Sequence, residues 1–439
     1  MQRRFDPRKY VITPSGAFQI GLWHEIDSFI RSWATPIELI ISAEFSEAFQ
    51  PSWDLTEPEE IEGFTYHDYQ RKALEEFIDN GRGIGLLATS AGKGLVIGGL
   101  CKTLLAHKPD ARILLVVPDV GLLTQLYDEF IQKYNIPCIS RWGDKKIPDW
   151  TSNIIIANSQ ILLSDIPFTL SKVMNFDMVI VDEVHTLGER SNKINKVIHG
   201  MNTLHKFGVT GTLSDNLLAA WNVLGKIGPI LIVESSFNIR QKGTAAEVKT
   251  KVIYCIHDSL PDAPDPADVS PAAKYNMEMK FIRESPKRNK VITNLAAKLN
   301  GNVLILVDSI DYGLALETLM QETGKKVYFI QGSVKTDKRA EVKALMEEHS
   351  NIICIAISQI FSRGISIKNL KYAIFTAIGT SNVRVVQAIG RLMRLHENKD
   401  CAYIFDICDN QQYSKGHLRD RVKLYKREKI EYTIKKITL

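Results

Sequence analysis

Met178-Val179-Ile180-Val181-Asp182-Glu183-Val184-His185 is the stretch on which the fold of this 439-residue chain turns. An apolar run stops abruptly at two adjacent carboxylates and a histidine. A short apolar run that ends at a turn reads as a buried strand of a parallel sheet. In open sheets of that kind ligands bind beyond the carboxyl ends of the strands, so Asp182 and Glu183 emerge where a ligand sits. Neighbouring carboxylates repel each other and resist desolvation unless a cation or a proton shares the site. A magnesium nucleotide supplies that cation: Asp182 would hold Mg²⁺ through water, and Glu183 would orient the attacking water and take its proton. The same residues also describe a strand ending in a solvated acidic turn.

Upstream, Gly83 to Leu87 reads as a strand. Ala88-Thr89-Ser90-Ala91-Gly92-Lys93-Gly94 follows, then an apolar helix to about Ala106. Strand, small-residue loop, lysine and helix together cradle phosphates. The N–H groups of Ala91, Gly92, Lys93 and Gly94 would face them, and Lys93 would reach the β and γ groups. Two positions depart from the strict pattern. Leu87 stands where its first glycine would be, and Gly94 where a Ser or Thr ligates Mg²⁺. Before this strand, Phe64 to Gln70 runs into a helix capped by Asp68, with an apolar stripe of Tyr69, Ala73, Leu74, Phe77 and Ile78. The Gln70 amide donates and accepts at once, so it can read an adenine edge or simply lie on the helix surface.

The scheme of strand and polar stop recurs at Arg112 to Pro118, at Asn153 to Gln160 and at Phe207 to Thr212. Strands alternating with helices over about 170 residues make a doubly wound α/β domain, with the polar stops along one sheet edge. From about residue 236 a second series begins: Lys251 to Ile256, Val303 to Val307, Val327 to Ile330, Ile352 to Ile357, Tyr372 to Phe375 and Tyr403 to Phe405. The fold class is α/β, with two parallel-sheet domains in tandem, 63–235 and 236–439. On Arg384 to Arg394, Gln387, Arg391 and Arg394 share one helix face. Two guanidinium groups and an amide suit a triphosphate, or a solvated face with surface ion pairs. Basic residues of the tail, Lys415 to Lys436, touch phosphates or face water.

Residues 1–62 read as a small α+β accessory domain. Val11-Ile12, Phe18 to Ile20 and Ile37 to Ile41 are β-type runs, and Trp23 to Ile30 is helical. Arg3, Arg4, Arg8, Lys9 and Arg31 would face phosphates or form a solvated docking surface. Overall, 45% hydrophobic and 24% charged residues mark an ordered globular chain. The six scattered cysteines form no C-x-x-C pair, which argues against disulfides or a zinc site. No apolar run approaches a membrane span, and the N-terminus has no secretory core, so the expected location is cytoplasmic. The net charge of +5 permits a nucleic-acid partner without demanding one.

Together these stretches resemble the superfamily 2 helicases. YHDYQ is similar to the adenine-recognising Q motif, TSAGKG to motif I, VVPDVGLLTQ to motif Ia, VDEVH to motif II and TGT to motif III. VLILVDS resembles motif IV, Gly332 with Arg339 motif IVa, AISQIFSRGISIKNL motif V and QAIGRLMR motif VI. TSAGKG, SRGISIKN and the closing KLYKREKIEYTIKKI bring the chain nearest to the UvsW-like phage helicases, which act on forked and branched DNA. The resemblance implies RecA-like domains, ATP and Mg²⁺. It implies that Gln70 selects adenine and that Thr89, Ser90, Ala91, Gly92, Lys93, Gly94 and Gly364 bind nucleotide. Asp182 would bind the metal and Glu183 activate water. His185, Thr210 and Thr212 would couple hydrolysis to movement, while Gln387, Arg391 and Arg394 would complete the catalytic set. DNA, forked, branched or single-stranded, would meet Pro118, Ser159, Gln160, Ser309 and Arg363, with contacts mainly to its backbone. Ser366 stands where many members carry an aspartate. The implied enzyme works as a monomer, away from membranes, in the host-cell cytoplasm if phage-encoded. A DExH RNA helicase and an ATP-binding clamp with little hydrolysis are the alternatives.

Overall fold

The computed structural model describes residues 12–13, 15–33, 38–137, 139–143, 146–188, 194–257, 270–331, 336–358, 367–376, 382–397 and 399–439. The chain divides into two compact units. One comprises Met1–Leu87 with Gly92–Glu234, and the other Ala88–Ala91 with Ser235–Leu439.

The first unit is built on seven strands: β1 (Gly83–Leu87), β2 (Ile113–Val117), β3 (Ile139–Trp142), β4 (Ile154–Asn158), β5 (Met178–Asp182), β6 (His205–Thr210) and β7 (Ile230–Glu234). Their order is β3-β4-β2-β5-β6-β1-β7, and every pairing is parallel. Central strands β2, β4 and β5 are buried along their whole length, as continuous apolar runs require when helices cover both faces. Val179 and Val181 of β5 share one core with Leu114, Val116, Ile155, Ala157, Val184 and Leu187. The register pairs Val117 with Asn158, Asp182 with Val209 and Leu86 with Thr210. The polar stops after β1, β2, β4, β5 and β6 therefore lie along one sheet edge.

The second unit repeats the plan with β8 (Glu247–Ile256), β9 (Val303–Val307), β10 (Lys326–Ile330), β11 (Ile352–Ile357), β12 (Tyr372–Phe375), β13 (Cys401–Asp409) and β14 (Glu431–Thr438). The order is β10-β11-β9-β12-β13-β8-β14, again parallel throughout. These are two tandem RecA-like α/β folds. In the second, Arg288 is wholly buried. Its Nε donates to Asp409 Oδ1 at 2.9 Å and Oδ2 at 3.1 Å, and its Nη1 to Tyr312 Oη at 2.9 Å. The tail is not a uniformly solvated basic face. Arg421, on the helix Gln412–Arg427, is buried and donates to Asp406 Oδ2 at 2.8 Å, an oxygen that also accepts from Tyr425 Oη.

The N-terminal segment departs from the α+β expectation. Among its described residues there are helices, Trp23–Arg31 and Ala43–Phe49, and a 3₁₀ turn, Ile20–Leu22, but no strand. Phe18, Trp23 and Phe45 cluster their rings instead, and Leu22 and Ile26 enter the first unit's core beside Val223, Leu224 and Ile227. Phe18 and Ile20 are only half-buried, with no strand beside them among the described residues, so packing overrides the β propensity of the run. Gly21 is needed there, because a Cβ would meet the Leu224 carbonyl at 2.0 Å. Buried Arg82 ties the segment down, donating to Ala48 O at 2.7 Å and Ile227 O at 2.8 Å. No described helix is long and apolar enough to cross a membrane.

Candidate active site

Between β1 and the helix Lys93–His107 the loop turns through two left-handed residues, Ser90 and Gly92, both at φ 75°. Gly92 is doubly required: its φ favours glycine, and a Cβ would come 2.4 Å from Gln70 Nε2. The helix that follows opens with amides that have no partner inside it, a ready site for anions. Lys93, its first residue, places Nζ 3.5 Å from Glu183 Oε1, with both side chains about 15% exposed. Asp182 ends β5 nearly buried, and its Oδ1 accepts from the Glu183 N–H at 2.8 Å. Glu183 is left-handed at φ 50°, a strained backbone for a non-glycine residue, and such strain concentrates at functional sites.

Thr210, at the end of β6, joins this group. Its hydroxyl donates to Glu183 Oε2 at 3.2 Å or to the Thr212 carbonyl at 3.1 Å, and lies 2.8 Å from His185 Nδ1. His185 Nδ1 is also 3.3 Å from Glu183 Oε2. Burial and the charge of Glu183 push the Asp182 carboxyl up to about 6. Burial alone would raise Glu183 too, but the Lys93 ammonium and the His185 and Thr210 hydrogen bonds hold it well below the usual carboxylate range. An acid pair in which one member resists ionisation is one that a divalent cation relieves, so these residues fit a magnesium site.

Lys93, Asp182, Glu183, His185 and Thr210 are thus brought together, with Thr212 contributing its backbone carbonyl. Gln70 is buried in the first turn of the helix Asp68–Asn80, and its Oε1 accepts from the His67 N–H at 2.9 Å. The helix cap is accordingly His67 with Gln70, not Asp68, which is already the first helical residue. Thr89 and Ser90 are half-buried and Ala91 is buried in the loop, while Gly94 is the helix's second residue. At the same sheet edge Ser159 Oγ donates to the Pro118 carbonyl at 3.1 Å, and Gln160 is exposed beside them.

In the second unit Ser309 caps the helix Ile310–Gln321. Gln387 and Arg391 lie on the helix Asn382–Leu392, with Arg394 just beyond its end. Their face is not an open one. Arg391 is buried, as are Val385, Val386, Ala388 and Ile389 of the same helix, and Gln387 and Arg394 are half-buried. Arg363, Gly364, Gly332 and Ser366 lie outside the described residues. Lys399 escaped the sequence reading. Buried, it donates from Nζ to the carbonyls of Lys368 at 2.8 Å, Leu370 at 3.2 Å and Leu392 at 2.9 Å, and so fixes the end of the helix bearing Arg391. A lone lysine outside any motif carries no signal of such a role.

Residues 63–215 match the family described as type III restriction enzyme, res subunit, and residues 286–396 match the helicase conserved C-terminal domain. The ATP-dependent DNA helicase UvsW of Enterobacteria phage T4 is 30% identical over 402 residues, covering 85% of this chain and 77% of the phage protein. Among solved structures, the ATP-dependent type ISP restriction-modification enzyme LlaBIII bound to DNA aligns with a TM-score of 0.63 at 15% identity, over 87% of this chain and 32% of that one. Dbp5 of S. cerevisiae bound to RNA and ADP BeF3 aligns at 0.59 and 14% identity, over 84% and 89%. At such identities these two speak for the fold alone.

Proposed function

The chain belongs to the superfamily 2 helicases, in the family of the T4 helicase UvsW, and from that membership we propose an ATP-driven motor that remodels forked or branched DNA. It is an ATP-dependent helicase by family. The DNA substrate is carried by the one observation that the 30% identical relative is named a DNA helicase, and the branched geometry by the resemblance of TSAGKG, SRGISIKN and KLYKREKIEYTIKKI to the UvsW-like helicases.

The residues perform the chemistry as follows. The loop amides and Lys93 take the nucleotide's phosphates, and Gln70 lies beside the loop where an adenine edge is read. A magnesium ion held by Asp182 would neutralise phosphate charge and orient the γ group. Lys93 lies near Glu183 and helps to keep that carboxylate a weak base. As Lys93 turns to the phosphates, Glu183 loses this partner, its proton affinity rises, and it accepts the proton of the attacking water. Thr210 and His185 hold the carboxylate in line and register its change of charge. Arg391 and Arg394 supply charge to the transferring group, an effect worth roughly 10³- to 10⁵-fold in such enzymes. Pro118, Ser159, Gln160, Ser309 and Arg363 track the DNA backbone, with little preference for sequence.

The test is a panel of forks, four-way junctions, R-loops, single-stranded DNA and duplex RNA, assayed for ATP-dependent strand separation. Forks and junctions should be remodelled by the unsubstituted chain and left intact by Lys93→Ala and Glu183→Gln. Stronger turnover on RNA than on any DNA would replace this reading with the RNA-helicase one. Binding without turnover on every substrate would leave a clamp.

A further inference from the structure

Gly94 stands where phosphate loops carry the hydroxyl that ligates Mg²⁺. We propose that Glu129 makes good that missing oxygen, accepting a hydrogen bond from a water on the magnesium ion. The inference rests on the nucleotide reading above and adds a residue that no motif contains.

The space a side chain at position 94 would enter is already taken. An ideal Cβ on Gly94 would lie 3.0 Å from Glu129 Oε2, 3.5 Å from Leu126 Cδ1 and 3.7 Å from Tyr134 Oη. Glycine therefore does more than omit a ligand: it makes room for a carboxylate. Glu129 is delivered there by a change of helix type. The α-helix Val120–Asp128 passes at Glu129 into a π turn, Glu129–Lys133, which widens the coil and re-aims the side chains on it. Glu129 Oε1 accepts from Gln125 Nε2 at 3.2 Å and Lys133 Nζ at 3.4 Å. Its Oε2, the oxygen that faces Gly94, has no hydrogen-bond partner among the described residues. With 20% of the side chain exposed, water reaches it.

A carboxylate oxygen near the start of a phosphate-binding helix has an electrostatic signature. It repels a bare triphosphate and attracts one that carries a divalent cation. Such an oxygen serves as an outer-shell acceptor: it orients the metal's water and does not displace it. Removing its charge should thus weaken binding of the magnesium nucleotide and slightly favour the metal-free nucleotide. A residue that merely packs the helix would move both in the same direction.

The experiment uses the full chain and a fluorescent N-methylanthraniloyl ATP, titrated with Mg²⁺ or in EDTA, so the readout is binding and not turnover. Glu129→Gln keeps the shape and one accepting oxygen, for Gln125 and Lys133, but removes the charge and turns the other acceptor into a donor. It should raise the Mg²⁺ midpoint about 10-fold, the scale of outer-shell substitutions, while affinity in EDTA stays equal or improves. Glu129→Ala combined with Gly94→Ser puts a hydroxyl back at position 94 and should recover most of the midpoint. A midpoint within twofold of the unsubstituted chain overturns the inference, as does equal weakening with and without magnesium. If the unsubstituted chain binds the analogue no better with magnesium than in EDTA, the nucleotide reading fails first and takes this one with it.

Discussion

Thr210→Val tests how Glu183, the carboxylate proposed to activate water, is held. Thr210 is fully buried, and valine preserves its outline while deleting the hydroxyl. That hydroxyl lies 3.2 Å from Glu183 Oε2 and 2.8 Å from His185 Nδ1. A hydrogen bond to an ionised group contributes about 1.5–3 kcal/mol. If that energy positions Glu183 to take the proton of the attacking water, its loss lowers kcat roughly 10- to 100-fold, at about 1.4 kcal/mol per factor of ten. The hydroxyl also helps to lower the Glu183 pKa, so its removal moves the acid limb of the pH–rate profile to higher pH. Thr210→Ser keeps the oxygen and loses one methyl group, at about 1 kcal/mol of stability, and should retain most of the turnover. The assay is nucleic-acid-stimulated ATP hydrolysis at saturating ATP, with urea unfolding run alongside. A valine variant within twofold of the parent in kcat would refute the reasoning. So would a serine variant as slow as the valine one.

Further outcomes follow from the same geometry. The folded Asp182 carboxyl is raised to about 6, so between about pH 4 and 6 the folded chain holds a proton that the unfolded chain releases. This group's contribution to stability therefore falls as pH rises through that window. Magnesium affinity, which needs the carboxylate, rises about tenfold per pH unit up to 6 and then levels off. Titrating Mg²⁺-dependent analogue binding from pH 5 to 8, corrected for proton uptake by the nucleotide, would expose a flat response if this were wrong. Asp409→Asn leaves the wholly buried Arg288 without its counter-charge and should cost the second unit about 3–5 kcal/mol in urea unfolding. A change under 1 kcal/mol would mean that the pair contributes little net stability. Lys399→Met keeps the aliphatic stem but strands the carbonyls of Leu370 and Leu392 and leaves that of Lys368 with the Leu370 N–H alone, for about 2–4 kcal/mol in total. Amide exchange along the helix Asn382–Leu392 should then quicken, and unchanged exchange there would show that Lys399 does not anchor it.

Much of the architecture is legible along the chain. Continuous apolar runs such as Ile113 to Val117 and Met178 to Val181 declare buried parallel strands, because only a sheet covered on both faces buries every side chain of a strand. The residues just past those runs, Asp182, Thr210 and Ser159, declare the functional edge, because parallel strands all end on the same side. These are local facts, carried by burial pattern and by position relative to a strand end. The tertiary structure alone decided which distant groups became neighbours. β-prone Phe18 to Ile20 leads into the 3₁₀ turn Ile20–Leu22, with no strand beside it among the described residues. Arg391 is buried, on a helix face whose charged residues suit an open surface equally well. Lys399 found carbonyls from two separate segments, 368–370 and the helix end at Leu392, and Glu129 found the gap above Gly94 through a π turn that its own sequence does not announce. A hydrophobic pattern specifies how deeply a residue is buried. What it is buried against depends on strand order and helix register, which the whole chain settles at once.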